Sequence, residues 1–209
     1  MKGDPNRTRL YLIRHGEVEA RYHRIFGGRI DMELSALGHE QAHRLAESLA
    51  KTHLDALYVS PMIRARQTLA PLARQHRPAA QVSEELREID FGAWTGLGWD
   101  HVTERFGKSP FNWLHHIEHD EIPEAENGTQ FRARVEPCLQ RILNENTGRQ
   151  AAIVCHGGVI RMILSILLNL PISKMSCFEI DYASISVVEI AGDRKEIQFL
   201  NLTPWQEPL

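Results

Sequence analysis

Three short runs in this chain of 209 residues carry side chains suited to holding and attacking a phosphate. They are Arg14-His15-Gly16-Glu17, Ser60-Pro61 with Arg64 close behind, and His156-Gly157-Gly158. Arginine donates forked N–H bonds that match phosphate oxygens. Paired glycines let backbone amides approach an anion, and a helix N-terminus adds a favourable partial charge. An unprotonated imidazole can attack phosphorus, so two histidines among two arginines point to covalent catalysis. Neighbouring cations disfavour the imidazolium and keep one ring nitrogen free. They also offset charge spreading over the equatorial oxygens in the transition state. The leaving alkoxide then needs a proton. Glu88 is a candidate donor, which a nearby phosphate dianion would keep protonated, but spacing alone ranks it no higher than Glu84 or Glu85. Singly, each run is more often surface or packing than machinery; the inference rests on their joint placement.

That placement follows from the elements that precede them. Residues 10–13, 54–59 and 151–154 are short apolar runs that read as buried strands. Each phosphate-binding run begins where one of them ends, and ligands of open α/β sheets bind beyond the strands' carboxyl ends. Ser35 is placed to cap a helix to about residue 51, with Leu37, Leu45 and Leu49 among its apolar positions. Pro61 suits the first turn of a second helix. A third runs from about residue 129 to 146, with Phe131, Val135, Leu139 and Ile142 on one face and Pro137 expected to kink it. Gly157-Gly158 opens a fourth, closed by Pro171. The alternation predicts an α/β fold with a mainly parallel sheet and helices on both faces. Residues 178–190 and 196–202 flank Ala-Gly-Asp-Arg and read as a β-hairpin, so part of the sheet is expected to be antiparallel. Residues 92–128, rich in Trp, His and Glu with weak periodicity, read as an excursion over the sheet edge, within one domain spanning 1–209.

Composition narrows the setting. A net charge of -3 lacks the basic excess of a nucleic-acid protein. Three cysteines at Cys138, Cys155 and Cys177 show no redox or zinc spacing, which favours a reducing compartment. The first nine residues lack the apolar core of a signal peptide. The longest apolar run, 159–170, is broken by Arg161 and falls short of the roughly 20 residues a membrane span needs. A cytoplasmic protein with no membrane or nucleic-acid partner is expected.

The runs also resemble a known family. Leu-Ile-Arg14-His15-Gly16-Glu17 is similar to the signature of the histidine phosphatase superfamily, in its phosphoglycerate mutase-like branch. Asp31, Leu34-Ser35, Gly38 and Gln41-Ala42 follow in the family's order. Ser60-Pro61-Met-Ile-Arg64-Ala65-Arg66-Gln67-Thr68 resembles its second block, and Glu88-Ile-Asp-Phe-Gly92-Ala-Trp94-Thr-Gly96 the block carrying the proton donor. His156-Gly157-Gly158 with Arg161 resembles the last. The resemblance implies a three-layer α/β/α sandwich and no metal or other cofactor. It implies His15 as the phosphorylated nucleophile, Arg14, Arg64 and His156 around the phosphoryl group, and Glu88 as proton donor and acceptor. Two departures bear on substrate: Arg21 stands where many relatives have Asn, and Ala125-Glu126-Asn127, with Arg134 in register, where they often have Gly-Glu-Ser. Arg21, Gly28, Arg29, Glu126 and Gly157 are candidates for the pocket's substrate-binding residues.

The expected activity is hydrolysis of phosphomonoesters of small metabolites. A mutase shares the first half-reaction but tends to be longer, and the block from Glu88 to Trp94 looks more like the small phosphatases, including the α-ribazole phosphatase-like group. A different class remains open: His115 and His119, one helical turn apart beside His116, could ligate a metal for a metal-dependent hydrolase. A non-catalytic binder of phosphorylated ligands is a third reading. Cys155 beside His156 points to the opposite face of its strand and reads as packing. Trp94, Trp99, Phe111 and Trp113 could be core or a lid over the leaving group. The C-terminal hairpin offers a sheet edge for a homodimer.

Overall fold

The computed structural model describes residues 7–206. Its sheet has six strands in the order β3-β2-β4-β1-β5-β6. Strands β1 (Thr8–Arg14), β2 (Ala56–Val59), β3 (Ala80–Val82) and β4 (Gln150–Cys155) run parallel. Strands β5 (Ile185–Ala191) and β6 (Arg194–Leu202) add an antiparallel edge. Alternation along β1 sends Leu10 and Leu12 into one core cluster and Tyr11 and Ile13 into the other. The first cluster packs against α5 (Gly128–Glu145) and α6 (Gly157–Leu167), the second against α1 (Ala36–Leu49) and α2 (Ile63–Gln75). This is the expected α/β/α sandwich.

Register brings the chemical runs together. Arg14 pairs with Cys155 across β1 and β4, and Val59 with Val154 across β2 and β4. The ladder continues past the strands: His15 N–H donates to Cys155 O at 3.0 Å and Ser60 N–H to Val154 O at 3.0 Å. His15, Ser60 and His156 therefore leave the sheet at one rim.

Local chemistry sets the helix starts. Ser35 caps α1, its side chain accepting from Gly38 N–H. Asn127 and Gln130 form a reciprocal capping box at the start of α5, and Pro137 lies within that helix. Four expectations need correction. Helix α2 begins at Ile63, after Pro61, because Asp31 Oδ1 accepts the Ile63 N–H at 2.7 Å while the Ser60 hydroxyl is engaged with His156. Leu37 lies on the exposed side of α1. Strand β5 starts only at Ile185, because residues 178–184 turn to form a wall of the pocket, with Ala183 at φ +49. Residues 92–128 carry two helices, α3 (Trp99–Phe106) and α4 (Trp113–Glu118). They contribute Trp94, Val102, Leu114 and Ile117 to the main core, so they are packed structure and not only a cover.

Candidate active site

His15 sits just beyond β1 and is buried. Its Nδ1–H donates to Gly16 O at 2.8 Å, which leaves the Nε2 lone pair as the acceptor. Arg64 Nε–H points at both imidazoles, 3.2 Å from His15 Nε2 and 3.2 Å from His156 Nδ1. Since His156 accepts at Nδ1, its Nε2–H donates to Ser60 Oγ at 2.8 Å. These tautomers are assigned from the hydrogen-bond network. The terminal nitrogens of Arg64 donate to Ile30 O at 2.7 Å and Gly28 O at 3.0 Å, so its guanidinium is fixed from behind. Burial, then Arg64, hold both imidazoles well below the usual histidine range, with Arg14 adding to the effect. Burial also brings the Arg64 guanidinium down to about 10. The outcome is a neutral imidazole facing a cation.

Arg14 donates to Ile180 O at 2.7 Å and stacks over the Tyr182 ring, 4.0 Å from its centroid. Its Nε is buried and has no hydrogen-bond partner among the described residues. A phosphate oxygen is the acceptor that would satisfy it. Nearby, the N-terminus of α6 presents Gly157 and Gly158. A Cβ at Gly157 would lie 3.0 Å from an Arg161 terminal nitrogen and 3.6 Å from Arg14 Nε. Glu88 reaches this helix end, its Oε2 accepting Gly158 N–H at 3.2 Å and its Oε1 accepting Ile89 N–H at 3.0 Å. A Cβ at Gly158 would overlap Glu88 Oε1. Gly158→Ala is therefore expected to displace Glu88 and lower kcat/KM by roughly 10²-fold or more, in line with the loss of a positioned acid. Unchanged steady-state kinetics in that variant would show that the Glu88 position is not critical.

The family profile of the histidine phosphatase superfamily, branch 1, matches residues 10–203. This chain belongs to that superfamily. Phosphoserine phosphatase 1 of Hydrogenobacter thermophilus is 29% identical, over 94% of this chain and 93% of its own. The adenosylcobalamin/α-ribazole phosphatase of Escherichia coli is 26% identical, over 92% of this chain and 95% of its own. The solved structure of a mycobacterial glucosyl-3-phosphoglycerate phosphatase superposes with a TM-score of 0.83 at 26% identity, covering 94% of this chain and 99% of that one. The chain is a phosphomonoesterase of the histidine phosphatase type, the reading its sequence favoured over a mutase, a metal-dependent hydrolase or a binding module.

The pocket of this histidine phosphatase is about 210 Å³, small beside the roughly 300–1,000 Å³ of sites for larger ligands. Arg14, His15, Arg64, Glu88, Gly28 and Gly157 line it, His156 lies directly behind, and Tyr22, Phe91, Trp99 and Trp113 form an aromatic mouth. Three expected substrate contacts lie elsewhere. Arg21 is exposed, since the turn at Ala20–Tyr22 directs it outward onto Glu19, at 3.0 and 2.7 Å, while Tyr22 faces in. Arg29 is exposed and lies 3.6 Å from Asp90. Glu126 is clamped by Arg134 through two bonds of 2.7 Å, and Arg134 also donates to Arg87 O at 2.9 Å. That clamp supports the segment carrying Glu88 and does not reach substrate. Trp99 and Trp113 border the pocket as a lid would, but Trp94 is core and Phe111 packs on Trp99 with most of its surface exposed.

The histidine cluster is otherwise engaged. Buried His116 bonds Glu121 at 2.6 Å, and His115 stacks on His119 with centroids 4.1 Å apart. Among the described residues no three His, Cys, Asp or Glu side chains gather as a metal would need. Cys155 is fully buried in the core, and burial pushes its thiol up. Two members of the family-like blocks that had no role assigned from sequence prove to be supports: the Thr68 hydroxyl accepts Gly16 N–H at 2.9 Å, and Gln41 accepts Glu17 N–H at 2.8 Å. Both are polar residues on the buried faces of helices, which marks them as bonded supports.

The two neutral histidines link stability to pH. In the unfolded chain they titrate near 6.5. In the folded enzyme they stay uncharged well below that. As pH falls through about 6.5 the unfolded chain takes up protons that the folded enzyme refuses, so stability is lost on the acid side. Each histidine is expected to contribute up to about 1.4 kcal/mol per pH unit. Urea midpoints between pH 7 and 5 test this: His15→Ala should flatten the dependence, and an unchanged slope would contradict a neutral, buried His15.

Proposed function

We propose that this enzyme hydrolyses phosphomonoesters of small metabolites through a phosphohistidine on His15, without a metal ion. The observation that carries the reading is the lone pair of His15 Nε2, held against Arg64 on an imidazole that burial and cations keep neutral. Phosphoryl oxygens meet Arg14 Nε, Arg64, His156 and the N-terminus of α6. Nε2 attacks phosphorus in line, the P–O bond to the leaving group breaks, and Glu88 gives that oxygen its proton. The Glu88 carboxylate then takes a proton from water, the hydroxide attacks phosphorus, and the P–N bond breaks to release inorganic phosphate and neutral His15. The small pocket and its aromatic mouth suit a compact organic group. The relatives' names cite phosphoserine, α-ribazole and glucosyl-3-phosphoglycerate, whose organic parts share little.

Rapid alkaline quench of the enzyme with a phosphomonoester, in EDTA, followed by peptide mapping at alkaline pH, tests the proposal. The expected result is continued phosphate release and an added phosphoryl mass on the peptide bearing His15, stable to base and labile to acid. Activity lost to EDTA and restored by a divalent ion, with no modified peptide, would overturn it.

A further inference from the structure

We propose that the phenol hydroxyl of Tyr182 is a direct ligand of the transferring phosphoryl group. The proposal rests on a phosphoryl group occupying the pocket as described above. Tyr182 lies in the turn between α6 and β5, where the backbone is fixed on both sides. Arg14 holds Ile180 O at 2.7 Å, Ala183 N–H donates to His15 O at 3.0 Å, and Trp205 Nε1 donates to Tyr182 O at 2.8 Å. So anchored, the side chain lines the pocket. Its ring lies 5.6 Å from the His15 imidazole, tilted by 49°, with the Arg14 guanidinium over its face. Arg64 lines the same pocket.

Among the described residues the only hydrogen bond of Tyr182 is the one at its backbone carbonyl; the hydroxyl makes none. The groups placed against its ring are the Arg14 guanidinium, which only donates, and the His15 imidazole, whose Nε2 lone pair already faces Arg64. The hydroxyl thus has no protein partner among the described residues, while the pocket it borders is lined by Arg14, Arg64 and Arg161. A phosphoryl oxygen is the acceptor that chemistry supplies there. Ring and hydroxyl then do separate work: the ring sets the plane of Arg14, and the hydroxyl adds a donor to a phosphoryl oxygen.

Tyr182→Phe separates them, because it keeps the ring and the stack. Binding of inorganic phosphate, followed by fluorescence of Trp99 and Trp113, is measured beside kcat/KM for p-nitrophenyl and alkyl phosphates. The expected result is an unchanged Tm, phosphate bound about 10-fold more weakly, and kcat/KM lower by roughly 10- to 100-fold, as for a lost hydrogen bond to a charged group. The loss should be equal for good and poor leaving groups, since the contact is to phosphoryl oxygen. Tyr182→Ala should lose more, because Arg14 also loses its stacking surface. If Tyr182→Phe matches wild type in phosphate affinity and kcat/KM, the ring alone matters and the proposal falls. A loss confined to alkyl phosphates would place the hydroxyl at the leaving group and also overturn it. The binding arm reads Tyr182 whether or not a phosphohistidine forms, so its failure is distinguishable from that of the His15 mechanism.

Discussion

His15→Ala is expected to lower phosphate release by at least about 10⁴-fold while phosphate binding stays within roughly tenfold of wild type. Loss of a covalent nucleophile removes the entire two-step route, which is why its effect exceeds that of any binding residue. The phosphate cradle survives because Arg64 is held by the carbonyls of Ile30 and Gly28, and Arg14 by that of Ile180. His156 cannot take over: unlike His15 it does not line the pocket, and its Nε2–H is given to Ser60. The variant is also expected to fold, since it removes a buried imidazole that burial and two cations disfavour as an ion. Intact-mass measurement after substrate addition should show no phosphoenzyme. Residual turnover above about 1% of wild type, with the cradle still binding phosphate, would mean that another group attacks phosphorus.

The parts of this site that were legible in the sequence are those fixed by strand ends. Three apolar runs are each followed within five residues by an arginine or a histidine, and a parallel sheet must bring such ends to one rim. The register of Arg14 with Cys155 and of Val59 with Val154 does so. What was not legible depends on contacts distant in sequence. Strand β3 has three exposed residues and no apolar pattern. The start of α2 is set by Asp31, 32 residues upstream of Ile63. Glu126 resembles a pocket residue by its place in the chain, but Arg134 turns it into a brace. In residues 92–128 no period tells Trp94, fully buried, from Trp99 at the pocket mouth, because short helices and turns present no regular face. Tyr182 lies in a turn whose course is set by Arg14, Asn201 and Trp205, none of them adjacent.

Glu88→Gln is expected to divide substrates by leaving group. With an alkyl phosphate the departing oxygen needs a proton, and kcat/KM should fall by roughly 10²- to 10⁴-fold. With p-nitrophenyl phosphate the leaving group departs unaided, so phosphorylation of His15 should proceed at a near-normal rate. Hydrolysis of the intermediate still needs a base, and glutamine is none; phosphohistidine should therefore accumulate, giving a burst of p-nitrophenol about equal to the enzyme present. The structure singles out Glu88 where spacing could not. Glu84 is exposed and pairs with Arg87 at 2.6 Å, and Glu85 lies 3.7 Å from Arg141. Only Glu88 of the three lines the pocket, where its carboxylate accepts the Gly158 N–H at the start of α6. Glutamine keeps one carbonyl acceptor but presents an NH₂ to one of the two backbone donors that Glu88 satisfies, so some misplacement will accompany the lost proton. Misplacement alone would slow both substrates alike and would leave no phosphoenzyme behind. A uniform loss without a burst would reduce Glu88 to a structural role, and only the divided pattern assigns it the proton.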